Sequence, residues 1–232
     1  QQAMYQEGKG RDKVAIVDVS GVLTSGGSGE TLFSSDSSVV SLSKKLDIAR
    51  EDDRIKAIIL RIDSPGGGVT ASDIMYREVM RFKEEREIPV YVSMQNLAAS
   101  GGYYLAMAGD RIYAHPTTVT GSIGVIAVFP DVKGLMDMAG VKINAIRTGE
   151  MKDAGAFYDH MSNEERQLYE GVVGEMFDQF IGVIGENRTE LTEEEIRASA
   201  DGRILTARQA LDRGLIDGIA YLDEVIDMAK EE

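Results

Sequence analysis

Ser100 lies in Ala99-Ser-Gly-Gly-Tyr-Tyr-Leu105, a stretch whose residue types can do nucleophilic chemistry. A hydroxyl at the start of a helix sits beside free backbone N–H groups and the positive end of the dipole. Those groups can hold the oxyanion that forms when the hydroxyl attacks a carbonyl. The flanks read as such a junction. Pro89–Met94 is short, β-branched and aromatic, as a strand is. Tyr103–Ala108 is apolar and helix-tolerant and stops at Gly109, the expected C′ position. Gly101 and Gly102 leave room for a substrate backbone. A serine in this setting also reads as a plain N-cap, so the nucleophilic reading needs a base elsewhere.

Candidate bases are few. The chain has two histidines and no cysteine. His115 precedes a proline at a strand end and His160 follows polar residues, so both read as structural or surface groups. Acidic residues do not cluster with histidine, so no metal and no cofactor is expected. The remaining way to activate a serine is a desolvated lysine, whose neutral form is favoured by burial. Lys152 lies in the loop Thr148–Phe157 with Met151, Ala154 and Phe157 as apolar company. A loop lysine taken alone also reads as a solvated side chain. A second glycine stretch, Asp63-Ser-Pro-Gly-Gly-Gly68, lies between a strand and a helix. Its spacing is that of neither a dinucleotide fingerprint nor a P-loop. It is a tight βα turn, or a place where Gly66 and Gly67 offer backbone N–H groups.

The elements that must position these groups alternate. Strands are expected at Val14–Val19, Ala57–Ile62, Pro89–Met94, Arg111–Ala114, Val125–Phe129 and Val141–Ile146. Helices are expected at Val39–Ala49, at Thr70–Arg86 with Thr70 or Ser72 as cap, and at Val132–Ala139. A long helix opens on a capping box, Ser162 to Glu165, and carries Leu168, Val172, Met176, Phe180 and Ile184 as an apolar stripe. A shorter one opens the same way at Thr192 to Glu195. The Gly/Ser-rich stretch Ser25–Ser38 and Thr117–Gly124 read as loops. Such β/α alternation implies a mainly parallel sheet with flanking helices.

With 232 residues, 43% hydrophobic and 28% charged, this is the composition of a soluble globular protein. Lys+Arg 25 against Asp+Glu 39, a net charge of −14, argues against nucleic-acid binding and against adhesion to anionic lipid. Residues 1–13 read as a disordered leader and 14–232 as one domain. The chain starts at Gln1, and the expectation is a fragment from which a membrane anchor has been removed.

Four stretches occur in order: Asp63-Ser-Pro-Gly-Gly-Gly68, Ala98–Leu105, Thr120-Gly-Ser-Ile-Gly-Val125, and Gly149-Glu-Met-Lys-Asp153 followed by Gly155. Together they resemble the signal peptide peptidase A family in its single-copy short form. These are membrane-associated Ser/Lys-dyad peptidases of the crotonase-like (Clp protease-like) fold. The resemblance spans roughly Val14 to Leu222, and Gly202–Asp217 is similar to the closing element of that superfamily. It implies an α/β fold of mainly parallel sheets with flanking helices, assembled into an oligomeric ring. It implies Ser100 as nucleophile and Lys152 as general base, then acid. Gly67 and Gly101 N–H groups would form the oxyanion hole. Ser122 would orient the lysine, or serve only as a polar turn residue.

The resemblance also implies substrates and setting: remnant signal peptides and other hydrophobic peptides, cleaved by a homo-oligomeric ring, an octamer. Each site would take Ser from one subunit and Lys from the next. The ring would be anchored in the cell membrane by an N-terminal segment absent from this chain, with the catalytic domain on the extracytoplasmic side. Two other classes share the fold. A crotonase-type acyl-CoA hydratase or isomerase would have to bind CoA phosphates, against a charge of −14. A non-catalytic ring scaffold would have no need of a filled site.

Overall fold

The computed structural model describes Tyr5, residues 10–26 and residues 37–231. Most of the Ser25–Ser38 connection and much of the leader lie outside the described residues. In chain order the elements are β1 (Lys13–Ser20), α1 (Ser38–Glu51), β2 (Ile55–Ser64), α2 (Val69–Arg86), β3 (Val90–Ala99), α3 (Gly101–Ala106), β4 (Arg111–Ala114) and β5 (Val119–Gly121). There follow α4 (Lys133–Ala139), a 3₁₀ turn (Glu150–Asp153), α5 (Asn163–Asn187), α6 (Glu193–Ser199), β6 (Ile204–Thr206), α7 (Ala207–Asp212), β7 (Gly218–Ile219) and α8 (Leu222–Glu231). Two compact units result: Gln1–Gly124 with Phe180–Glu232, and Val125–Gln179.

The first unit is built on a sheet of order β1-β2-β3-β4-β7, parallel throughout, with β5 on β3 and an antiparallel β6 on β5. β2 explains the layering. Ala57, Ile58, Ile59 and Leu60 are all buried, as in a parallel strand covered on both faces. Ala57 and Ile59 join Tyr91 beneath α8, which contributes Val225, Ile226 and Ala229. Ile58, Leu60 and Ile62 alternate to the other face, where α1 and α2 bury Leu42, Leu46, Met75, Val79 and Phe82. Each fully buried aliphatic side chain contributes about 1.5–3 kcal/mol.

β3 changes partner halfway. Tyr91–Met94 pair with β4, and Leu97–Ala99 pair with β5. At the change the Asp63 carboxylate accepts from Asn96 Nδ2 at 2.9 Å and from Leu97 N–H at 3.1 Å. Thr120 Oγ1 donates to Ala98 C=O at 2.6 Å. These bonds hold the second half of β3, and so the residue that follows it.

Several expectations need correction. Val125–Phe129 and Val141–Ile146 are not strands; they belong to no regular element. Both are apolar and β-branched, but a strand also needs a neighbour for its ladder, and Ile126 and Ile146 are 86% and 102% exposed. Within Thr117–Gly124, conversely, lies β5, and β3 runs on past Met94 to Ala99. Helix α2 is capped by neither Thr70 nor Ser72: Gly68 is the N-cap, and Ser72 Oγ donates back to Gly68 C=O at 3.0 Å. Helix α3 starts two residues earlier than the apolar run and ends at Ala106. Gly109 is not left-handed; a side chain there would come within 2.6 Å of Val92, so close packing is what requires glycine.

The second unit holds α4, the 3₁₀ turn and most of α5. Its capping box forms as expected: Glu165 N–H donates to Ser162 Oγ at 3.2 Å, and Ser162 N–H to Glu165 Oε2 at 2.7 Å. No residue from Val125 to Gln179 is buried. Of the stripe on α5, Phe180 and Ile184 are buried, whereas Leu168, Val172 and Met176 are exposed.

Candidate active site

Ligands of open parallel sheets bind at the carboxyl ends of the strands. Here β2, β3 and β5 end side by side, with Ser64 opposite Ala98 and Ala99 opposite Gly121. The residue after β3 is Ser100, at φ 52° and ψ −122°. A residue with a side chain in such a conformation costs about 1–3 kcal/mol and persists only where its surroundings over-determine it. They do. Ser100 N–H donates to Gly121 C=O at 2.8 Å, and Ser100 C=O accepts from Tyr104 N–H at 2.9 Å. Helix α3 is buried along its whole length. Tyr103 Oη donates to Leu215 C=O at 2.8 Å, and burial pushes its phenol pKa up. Tyr104 Oη donates to Asp73 at 2.7 Å.

Ser100 occupies the cap position but its side chain makes no capping bond. A strained, half-buried serine whose hydroxyl does not cap its helix leaves that hydroxyl free of a local structural task.

The glycine loop after β2 lies directly against this turn. A side chain on Gly66 (φ 93°) would come within 2.5 Å of Gly101 N and 2.9 Å of Ser100 Cβ. One on Gly101 would come within 2.1 Å of Ser72 Oγ, and one on Gly102 within 2.8 Å of Ser64 C=O. Gly66→Ala is therefore expected to cost about 2–5 kcal/mol, the sum of a positive-φ penalty and overpacking against backbone. Denaturant unfolding checks it; a loss below about 1 kcal/mol means that the loop shifts freely.

Of the two candidate amides, Gly66 N–H is already used, by Ser64 Oγ at 3.1 Å. Gly67 is different. Gly66 C=O accepts from Leu23 N–H at 2.9 Å, and Gly68 N–H donates to Leu23 C=O at 3.0 Å. Alternation along this short parallel bridge turns Gly67 N–H away from Leu23, and Gly67 is exposed. Gly101 N–H, first in α3, has no carbonyl of its own helix to bond. Gly67 N–H thus has no partner on Leu23 and Gly101 N–H none within α3, and Gly66, the residue before Gly67, packs against Ser100 and Gly101.

Ser122 follows Gly121 at φ 50°, with its N–H on Arg203 C=O at 2.7 Å. It is half-buried and stands beyond the end of β5 as Ser100 stands beyond the end of β3.

Lys152 belongs to the second unit, inside the 3₁₀ turn, and its side chain is exposed. The burial among Met151, Ala154 and Phe157 that the sequence suggests does not form within the single chain: Met151 and Phe157 are themselves exposed. The turn is nonetheless well fastened. Arg147 pairs with Asp153 and, as the main cause, holds that carboxyl below the usual range. Tyr169 Oη donates to Ala154 C=O at 2.7 Å. The histidines are engaged locally, His115 Nδ1 with Thr117 Oγ1 at 2.8 Å and His160 Nδ1 with Asp131 at 2.7 Å. Ser64 and Ser72 are buried hydroxyls that brace the glycine loop; the sequence marks Ser72 only as a cap candidate and gives Ser64 no role beyond its place at the strand end.

Comparison with known proteins agrees with this architecture. Residues 34–120 match the family model described as Clp protease, and residues 82–232 match that of peptidase family S49. The chain is 32% identical to an Enterococcus faecium protein named for signal peptide peptidase SppA, over 98% of this chain and 65% of that one. It is 31% identical to Protease 4 of Haemophilus influenzae, over 95% of this chain and 35% of that one. It is 34% identical to the chloroplastic Serine protease SPPA of Arabidopsis thaliana, over 96% of this chain and 33% of that one. The chain thus spans just under two thirds of the first of these relatives and about a third of the other two. With the S49 match covering the Ser100 turn, the Lys152 loop and everything after them, this chain belongs to peptidase family S49.

Proposed function

We infer that the protein is a serine endopeptidase in which Ser100 is the nucleophile and Lys152 the general base. The observation that carries the reading is Ser100 itself: a side chain at φ 52° on a strand-to-helix turn, making no capping bond, with the Gly66 loop packed against it. Ser100 Oγ attacks the scissile carbonyl while neutral Lys152 Nζ takes its proton. The oxyanion accepts from Gly67 and Gly101 N–H. Collapse breaks the C–N bond, and the Lys152 ammonium returns the proton to the leaving amine. Water, deprotonated by the same lysine, then releases the acyl group from Ser100. Ser122 Oγ orients the lysine.

A neutral lysine must be desolvated, and Lys152 is exposed in the single chain. The reading therefore includes a closed homo-oligomeric ring in which each junction joins Ser100 of one copy to Lys152 of the next. Its support is the second unit, which buries none of its residues and exposes Ile126, Val128, Leu135, Met138 and Phe157. Substrates are hydrophobic peptides, with remnant signal peptides the main class, as the name of the Enterococcus relative suggests. No described helix is long and apolar enough to cross a membrane, so the proposed anchoring at the outer face of the cell membrane rests on a segment outside this sequence.

A serine-reactive fluorophosphonate tests the core of the reading. Labelling of the folded protein on Ser100, lost in Ser100→Ala together with peptide cleavage, is expected. Undiminished labelling or cleavage in Ser100→Ala overturns it. A crotonase-type enzyme or a scaffold gives no labelling of Ser100 at all.

A further inference from the structure

We propose that Ser64 is a positioning residue for catalysis: its hydroxyl holds the Gly66–Gly67 peptide in the orientation that presents Gly67 N–H to the reacting carbonyl. The proposal rests on the reading of Gly67 as an oxyanion donor. Ser64 is fully buried at the end of β2. Its Oγ donates to Gly21 C=O at 2.7 Å and accepts from Gly66 N–H at 3.1 Å. The hydroxyl thus ties the glycine loop to the segment leaving β1. That same segment supplies Leu23, whose N–H bonds Gly66 C=O at 2.9 Å.

The geometry of a trans peptide does the rest. C=O and N–H of one peptide unit point in opposite directions, so fixing Gly66 C=O on Leu23 fixes Gly67 N–H the other way. Both residues of that unit are glycines, for which rotation of the whole peptide meets little steric resistance. Rotation would replace a donor by a carbonyl, which repels an oxyanion. Leu23 N–H on the carbonyl resists it directly, and Ser64 Oγ resists it indirectly, by fixing the N–H of the preceding peptide unit and so the Gly66 backbone from which the rotation would start. Without the hydroxyl, Gly66 N–H is buried with no acceptor and Gly21 C=O loses a donor. The loop then gains by turning, and the donor is lost. Ser64 is fully buried with its hydroxyl engaged by Gly21 C=O and Gly66 N–H, so it acts only through the loop it holds.

The test compares wild type with Ser64→Ala in peptide cleavage and in binding of a peptide aldehyde and the matching peptide alcohol. The aldehyde forms a hemiacetal on Ser100 whose oxygen needs the two donors; the alcohol fills the same cleft without it. In Ser64→Ala, kcat is expected to fall about 10²-fold, as for loss of one oxyanion donor, with KM unchanged. Aldehyde affinity falls in parallel and alcohol affinity stays. Unchanged kcat overturns the proposal, and so does an equal loss of aldehyde and alcohol binding, which is the mark of a loosened fold. Wild type that binds aldehyde no better than alcohol instead removes the oxyanion reading, and the proposal with it. Should Ser64→Ala not fold, Ser64→Cys keeps the volume and weakens both bonds. The same split between kcat and KM, smaller in size, is then expected, and its absence is decisive against the proposal.

Discussion

Lys152→Arg is expected to lose peptide cleavage as completely as Lys152→Ala, a fall of about 10²–10⁴-fold or more. Arginine keeps the positive charge and much of the reach, so the comparison isolates one property. A guanidinium does not deprotonate near neutral pH and cannot accept the Ser100 proton. If Lys152 acted only as a fixed charge beside the oxyanion, arginine would serve and much of the activity would survive. Lys152 sits in an exposed 3₁₀ turn braced by the Arg147–Asp153 pair, so neither substitution disturbs a core. Initial rates on a hydrophobic peptide, with melting temperature as the control, decide it. Activity in the arginine variant above about a twentieth of wild type removes the lysine from the base role.

Two inactive variants are expected to repair one another. Ser100→Ala and Lys152→Ala proteins, unfolded together and refolded as mixed rings, should regain about a quarter of wild-type activity. A working junction needs Ser100 from a Lys152→Ala copy and Lys152 from a Ser100→Ala copy. With equal, random mixing each condition is met half the time, which gives the quarter. A dyad within one chain predicts background activity at every mixing ratio, since every site then lacks one group. The second unit carries Lys152, buries none of its own residues and exposes Met138 and Ile126 at 87% and 86%. Such a unit calls for a partner surface, and a heterologous interface closing on itself supplies one at every junction. Mixed rings confirmed by mass spectrometry but lacking cleavage would rule out the shared site.

What could be read from the sequence was what local chemistry decides. The β/α alternation through β2 and α2 needs only periodicity, and the capping boxes at Ser162 and Thr192 form because serine or threonine and a glutamate three residues on satisfy each other's backbone donors. Ser100 and the glycine loop were legible for the same reason, a short run of residue types that few other conformations want. The box at Thr206 and Gln209 is equally local. The tertiary structure decided whatever depends on a neighbour. Val125–Phe129 and Val141–Ile146 have strand composition but no strand to pair with, while Val119–Gly121, poorer in such residues, is a strand because β3 and β6 flank it. Nothing in Pro-Gly-Gly-Gly says which amide is free; Leu23, distant in sequence, and the buried hydroxyl of Ser64 just before the loop turn Gly66 inward and Gly67 outward. That Ser100 takes φ 52° at the cap position and makes no side-chain capping bond depends on its backbone bonds to Gly121 and Tyr104. Lys152, expected to be buried by its own loop, is exposed, because burial belongs to whatever packs on a residue and not to the residues beside it in the chain.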